Sequence, residues 1–168
     1  VLQISRASEH SHGFTVPKSS GDWRFVMDLV NLNHATTDGE QWPIPNIGEL
    51  LRRMGDKRPK FFFVMDLTSG FHQAPIAPDC RHLTAFITKK GMYEWCRVVM
   101  GAKTAAPYFQ RVISSEVLAG YVQNICELYI DDVITYGNTI EEGLRNLEKI
   151  LERFQEFGIT VNPDKCSF

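Results

Sequence analysis

The chain changes its hydrophobic rhythm several times, and each change marks an element. Phe14–Val16 and Trp23–Asp28 are short aromatic and β-branched runs on either side of Ser19-Ser20-Gly21, the composition of two strands joined by a turn. Lys18 at the bend and Arg24 on the return strand could share one side of that ribbon, or simply be solvated. Residues 1–13 are polar and mixed and read as an extended, loosely ordered lead-in. After Pro43-Ile44-Pro45, Asn46 can cap a helix in which Ile47, Leu50, Leu51 and Met54 form a stripe, with Gly55 as its stop. Arg52, Arg53, Lys57, Arg58 and Lys60 gather around its end, where the helix dipole favours cations and a phosphate could also be met.

Phe61–Met65 is continuously apolar, the pattern of a strand buried on both faces, and it delivers Asp66 before Thr68-Ser69-Gly70 breaks the run. Leu83–Thr88 and Met92–Val98 read as strands around a basic Lys89-Lys90-Gly91 bend. From Thr104 or Ala105 to Leu118 the apolar spacing of Phe109, Val112, Ile113, Val117 and Leu118 is helical, with Gly120 as a stop. Leu128–Val133 then reads as a hairpin tipped by Asp131-Asp132. Thr139 and Glu142 supply a capping box, and Ile140, Leu144, Leu147, Leu151, Phe154 and Phe157 form the expected buried face of a long helix stopped at Gly158. Ile159–Val161 is a short strand before Asn162-Pro163. Strands and helices mix without βαβ alternation, which predicts an α+β fold with a mostly antiparallel sheet packed on helices.

At 168 residues with 43% hydrophobic residues, the chain suits one globular domain. No apolar run reaches the roughly 18 residues of a membrane span, and the start lacks a secretion-signal layout, so an intracellular protein without a membrane partner is expected. Cys80, Cys96, Cys126 and Cys166 lie far apart and read as buried free thiols rather than a zinc or disulfide framework. His10 and His12 suggest a ligand pair only weakly against an unordered terminus. Net charge is −2, yet residues 1–111 carry 14 Lys and Arg against 10 Asp and Glu, and residues 112–168 carry 4 against 10. A basic half beside an acidic half fits an anionic substrate and bound cations, and fits an ordinary mixed surface nearly as well.

The acidic positions are the chemically suggestive ones. If the strand ending in Asp66 neighbours the hairpin carrying Asp131 and Asp132, three carboxylates meet at one sheet edge. Crowded like charges call for a counter-ion, and oxygen-only ligands favour hard cations such as magnesium. Two such ions roughly 3.5–4 Å apart stabilise the attacking and leaving oxygens of an in-line phosphoryl displacement, which is nucleotidyl transfer.

Five blocks in order carry a resemblance. Trp23-Arg24-Phe25 with Asp28 and Leu32-Asn33, then Met65-Asp66-Leu67-Thr68-Ser69-Gly70-Phe71-His72-Gln73, then Gly101-Ala102-Lys103-Thr104-Ala105 with Phe109-Gln110-Arg111, then Tyr129-Ile130-Asp131-Asp132, then Val161-Asn162-Pro163-Asp164-Lys165-Cys166 together resemble the reverse transcriptase of Gypsy-like LTR retrotransposons. The resemblance implies a right-hand polymerase, with residues 14–168 as fingers and palm, lacking primer grip, thumb and ribonuclease H domain. It implies an RNA-directed DNA polymerase domain of a retrotransposon polyprotein, using two magnesium ions, or manganese in their place. Asp66, Asp131 and Asp132 match the metal-binding aspartates, and the carbonyl of Leu67 matches a backbone ligand. Phe71 matches the ring that rejects a 2′-hydroxyl, a role that fits an apolar surface unable to pair it. Lys18 and Arg24 match cations that hold the triphosphate, Met100 and Gly101 fall in the block lining the nucleotide pocket, and Tyr129 lies towards primer and pocket.

The implied partners are an RNA or DNA template with primer, deoxynucleoside triphosphates, and the thumb, ribonuclease H and integrase domains of the polyprotein. The implied location is a cytoplasmic particle or the nucleus. Two departures stand out: Asp-Tyr-Arg-x-Leu-Asn becomes Asp28-Leu29-Val30-Asn31-Leu32-Asn33, and Asn-Ala-Pro becomes Thr104-Ala105-Ala106. The alternative reading is a non-catalytic remnant that keeps the fold and weak nucleic-acid binding.

Overall fold

A computed structural model describes residues 1–18, 21–37, 39 and 42–168. In chain order its elements are β1 (Leu2–Ile4), β2 (Gly13–Pro17), β3 (Trp23–Met27), α1 (Val30–Ala35), α2 (Ile47–Lys57), β4 (Phe61–Asp66), β5 (Phe86–Thr88), β6 (Gly91–Trp95), α3 (Ala105–Val112), β7 (Cys126–Tyr129), β8 (Asp132–Gly137) and α4 (Ile140–Phe157). Short 3-10 turns cover Gly70–Gln73, Pro78–Thr84 and Pro163–Lys165. Every strand pair among the described residues is antiparallel, so the α+β expectation holds. The chain divides into two compact units, Val1–Gly39 with Phe71–Ala105, and Glu40–Gly70 with Ala106–Phe168.

In the first unit the expected hairpin is present, with Val16 opposite Arg24 in the β2–β3 ladder. Lys18 N–H donates to the Asp22 carbonyl at 2.7 Å, which extends that register and places Lys18 on the same side as Arg24. Ser19 and Ser20 of the expected turn lie outside the described residues. The lead-in is better ordered than its polarity suggests. Leu2–Ile4 pairs with β6, Ser11 N–H donates to Ala85 O at 2.8 Å, and Asp28 N–H donates to His12 O at 2.8 Å. Backbone pairing at a sheet edge does not require an apolar pattern, so composition alone could not reveal it. The strand expected from Leu83 begins only at Phe86, because Pro78 opens a 3-10 turn that runs to Thr84. Met27, Leu29, Phe86, Trp95 and Val99 form the core of this unit.

The second unit centres on a sheet of order β4-β8-β7. Phe63 and Met65 on β4, Cys126 and Leu128 on β7, and Val133 and Thr135 on β8 are buried. Phe61 and Phe62 are exposed, so β4 is not buried on both faces as expected. It is an edge strand, and among the described residues its free side is bridged at Val64 and Leu67, by Ser167 and Val161. The strand expected at Ile159–Val161 is reduced to that bridge.

Helix ends follow the expected caps with one correction. Asn46 Oδ1 accepts from the Gly48 and Glu49 N–H groups at 2.8 and 3.3 Å, but α2 runs through Gly55 to Lys57 and closes at Arg58, in the left-handed region at φ 49°. Ile47 and Leu51 of its stripe remain exposed, while Leu50 and Met54 pack with Tyr136. Three of the five clustered cations have side-chain partners among the described residues, Arg52 pairing with Asp56 at 3.5 Å on the exposed face of α2. Arg53 forks onto Glu127, which is 1% exposed, with bonds of 3.3 and 2.8 Å that hold the guanidinium pKa above its ordinary value. Lys57 reaches the Gln123 carbonyl, the Asn124 carbonyl at 2.8 Å and the Tyr136 hydroxyl at 3.0 Å.

The long helix packs through an arc that differs from the expected stripe. Thr139 Oγ1 caps Glu142 N–H at 3.2 Å and Gly158 closes the helix, but the buried residues are Gly143, Asn146, Ile150 and Phe154. Ile140, Leu144, Leu151 and Phe157 are exposed. The cause is a glycine pair: a Cβ on Gly137 would meet the Gly143 backbone, with Cα at 2.8 Å. Asn146 then bonds the Tyr136 carbonyl at 2.9 Å, fixing the helix rotation on β8. Gly137→Ala is expected to destabilise the chain by about 2 kcal/mol, since backbone atoms cannot yield as a side-chain end can. An unchanged denaturation midpoint would contradict this packing.

The cysteines are free, yet only Cys126 is buried, and burial pushes its thiol up to about 12. Cys80 is exposed, and Cys96 and Cys166 are partly exposed, correcting the expectation of four buried thiols.

Candidate active site

The site residues of the second unit are placed by the β4–β8–β7 sheet. Asp66 is the last residue of β4 and Asp132 the first of β8, and the two are direct register partners. Tyr129 pairs with Asp132 across the β7–β8 hairpin, leaving Ile130 and Asp131 as its two-residue loop. Ile130 adopts φ 57°, at a loop position where glycine or asparagine is usual. A β-branched residue is strained there, and the surroundings must hold it. Two bonds do so: Ile130 N–H donates to Gln110 Oε1 at 2.7 Å, and Leu67 N–H donates to the Asp131 carbonyl at 3.1 Å.

Asp131 lies directly over Gly70. A Cβ on Gly70 would come within 2.8 Å of Asp131 Cβ and 3.5 Å of Oδ2. The left-handed Ser69, at φ 50°, swings the chain into this approach, and Gly70 N–H donates to the Leu67 carbonyl at 3.2 Å. That carbonyl keeps a second lone pair.

Charge at this edge is concentrated and only partly balanced. The Asp132 carboxyl is raised above its ordinary value, first by burial and then by the charges of Asp131 and Asp66. Lys165 is the local counterweight, its Nζ lying 3.2 and 3.4 Å from the two Asp66 carboxylate oxygens. It arrives on the C-terminal segment, which Asn162 N–H ties to the Asp66 carbonyl at 2.9 Å. A lysine ammonium sits on Asp66, and the donors at this edge are oxygens alone, the set preferred by magnesium and manganese. Among the described residues no three or more acidic, thiol or imidazole side chains, Asp66, Asp131 and Asp132 included, are gathered into a metal-holding cluster. Magnesium does not need a full protein cage, because it keeps waters and substrate phosphates as ligands.

Tyr129 is half-buried and packs against the Leu50, Met54 and Tyr136 cluster. The remaining expected residues belong to the first unit. Lys18 and Arg24 are exposed on the β2–β3 ribbon, and Phe71 is half-buried in the 3-10 turn after Gly70. Met100 is exposed and Gly101 turns at φ 96°. Asn33 brackets this turn, donating from Nδ2 to Gly101 O at 2.9 Å and accepting at Oδ1 from Lys103 N–H at 2.8 Å. Of the departing Asp28–Asn33 block, Leu29 lies in the core, Asn33 holds the Gly101 turn, and Val30 is exposed.

Comparison with known proteins decides the family. A family model described as reverse transcriptase (RNA-dependent DNA polymerase) matches residues 16–168. The chain belongs to the reverse transcriptase family. This reverse transcriptase chain is 32% identical over 174 residues to the retrovirus-related Pol polyprotein from transposon 412 of Drosophila melanogaster, which covers all of the chain and 14% of that protein. It is 31% identical over 174 residues to the corresponding protein from transposon gypsy of the same organism, again over the whole chain and 16% of the relative. The enzymatic polyprotein of cauliflower mosaic virus (strain Strasbourg) is 33% identical over 99% of the chain and 24% of that protein. Among solved structures, a foamy viral protease-reverse transcriptase in complex with ds DNA superposes with TM-score 0.84 at 25% identity, covering all of this chain and 29% of that one. The chain thus spans a quarter or less of the polyproteins it matches. The Gypsy-like resemblance and the α+β polymerase fold both hold for this reverse transcriptase domain.

Three features of the reverse transcriptase site were not assigned from sequence: Gln110, Gly70 and Lys165. All stand inside the blocks that carry the resemblance, but their contacts are tertiary.

Proposed function

We propose that this chain holds the catalytic centre of an RNA-directed DNA polymerase of a retrotransposon polyprotein. The observation that carries the reading is the register pairing of Asp66 with Asp132, with Asp131 next in the chain and the Asp132 carboxyl raised by burial and by the charges of the other two. Asp66, Asp131 and Asp132, with the Leu67 carbonyl, would hold two magnesium ions or manganese in their place. When bound, such ions polarise the primer 3′-hydroxyl and neutralise the triphosphate and departing pyrophosphate.

The chain's own residues would do the rest. Arg24 and Lys18 would hold the triphosphate of a deoxynucleotide, with Met100 and Gly101 lining its pocket. Phe71 would exclude a 2′-hydroxyl by offering it no partner. Tyr129 would face the primer with whatever edge its packing leaves free. The foamy viral relative in complex with ds DNA supports a primed DNA template as partner, and the RNA template follows from the family. Thumb, ribonuclease H and integrase segments of the polyprotein are the other proposed partners, in a cytoplasmic particle or the nucleus. No described helix is long and apolar enough to cross a membrane.

The test is extension of a DNA primer on an RNA template with magnesium and deoxynucleotides, using the longest gene product that carries this chain. Extension is expected with deoxynucleotides and not with ribonucleotides. A product that binds primed template yet adds no nucleotide would replace this reading with the non-catalytic remnant.

A further inference from the structure

We propose that Gln110 is a positioning residue that latches the carboxylate-bearing hairpin in its strained form, an inference that rests on the cation-binding reading of Asp66, Asp131 and Asp132. Gln110 is 2% exposed, on the last turns of α3, and its Oε1 accepts the Ile130 N–H at 2.7 Å. It comes from a helix 20 residues away in sequence, so the bond is tertiary rather than part of the hairpin. Ile130 is the residue that most needs such a bond. Its φ of 57° disfavours a β-branched side chain, and relaxation towards negative φ would swing the next peptide, which carries Asp131.

The Asp131 carbonyl is also the acceptor for Leu67 N–H, so the loop is pinned on both sides: Gln110 before Asp131 and Leu67 at it. Losing the Gln110 acceptor leaves a peptide N–H unpaired beside a strained residue, and both terms push the loop the same way. An amide suits this position better than a carboxylate, since it accepts the bond without adding a fourth negative charge near three aspartates. The chain beyond Gln110 widens into a π turn over Ile113–Val117, closed by Leu118 N–H to Ile113 O at 2.8 Å. Such turns are rare and recur at functional sites.

A merely structural glutamine would affect folding stability and nothing else. A positioning residue affects cation affinity in molecules that remain folded. The probe is Mn²⁺, titrated by calorimetry into the 168-residue chain, with hydrogen exchange at the Ile130 amide as a second reading. Gln110→Met keeps the side chain's length and removes the acceptor. It is expected to lower Mn²⁺ affinity about tenfold and speed Ile130 exchange about tenfold. Adding Ile130→Gly is expected to return the affinity to within about threefold of wild type, because glycine adopts positive φ without strain.

Wild-type affinity in Gln110→Met, or a loss that Ile130→Gly does not repair, would overturn the latch. Should Gln110→Met fail to fold, wild-type exchange decides: an Ile130 amide as fast as an unstructured peptide overturns the proposal, and a protected one supports it. Absence of Mn²⁺ binding by the wild-type chain would sink the cation reading instead, while Ile130 exchange still reports whether Gln110 holds the hairpin.

Discussion

Replacing Asp132 by asparagine is expected to cut primer extension by about a thousandfold while raising the thermal midpoint of the metal-free chain. The two effects have one origin. Asp132 stands opposite Asp66 and next to Asp131, and burial together with those two charges raises its carboxyl above the ordinary 3.8. Between 3.8 and the raised value the folded chain binds more protons than the unfolded one, so stability falls as pH rises through that window. Above the window the penalty is complete, and without a metal Lys165 on Asp66 offsets part of it. Asparagine keeps the shape and removes the charge, so the destabilising term and its pH dependence should both vanish. Melting in chelator from about pH 4 to pH 8 measures the slope, and extension on a primed RNA template measures activity. A variant that extends normally, or that melts lower than wild type without metal, would break the link between repulsion and cation binding.

What the sequence made legible at this site is the part set by local pattern. The apolar run before Asp66 and the apolar flanks of Asp131-Asp132 specify strands, and two strands ending in acid are readable without a partner. The less legible features depend on which residue meets which. Ile140, Leu144, Leu147 and Leu151 form as good a helical stripe as Gly143, Asn146, Ile150 and Phe154, and only the close approach of Gly143 to Gly137 selects the second. Arg53 and Lys57 read as available cations until Glu127 and the carbonyls of Gln123 and Asn124 claim them. Gln110 is a polar residue among Phe109, Ile113 and Val117, a position where periodicity offers no reason for polarity. Its reason lies at Ile130, on another element. Local physics therefore delivers the acids, and tertiary contacts that no pattern announces hold them at an angle.

That division gives the second large expectation its force, because Gly70 carries no chemistry and yet sets where chemistry occurs. Gly70→Ala is expected to lower primer extension about a hundredfold, with a stability loss of only about 1–3 kcal/mol. The added Cβ would sit 2.8 Å from Asp131 Cβ, closer than carbon atoms approach, and 3.5 Å from a Phe109 ring carbon. Asp131 Cβ is fixed to the backbone and cannot turn aside as a long side chain would. Relief must come from moving the Asp131 loop or the Ser69–Gly70 turn. The loop is held by Gln110 at Ile130 and by Leu67 at the Asp131 carbonyl, and the turn by Gly70 N–H on the Leu67 carbonyl. Either movement shifts a proposed cation ligand: the Asp131 carboxylate in the first case, the Leu67 carbonyl in the second. A displacement near 1 Å suffices for a hundredfold loss where reacting groups must align. The defect should appear in kcat more than in KM for the deoxynucleotide, since Arg24 and Lys18 are untouched. Alanine at 70 with unaltered kcat would mean that Asp131 need not lie where the structure puts it.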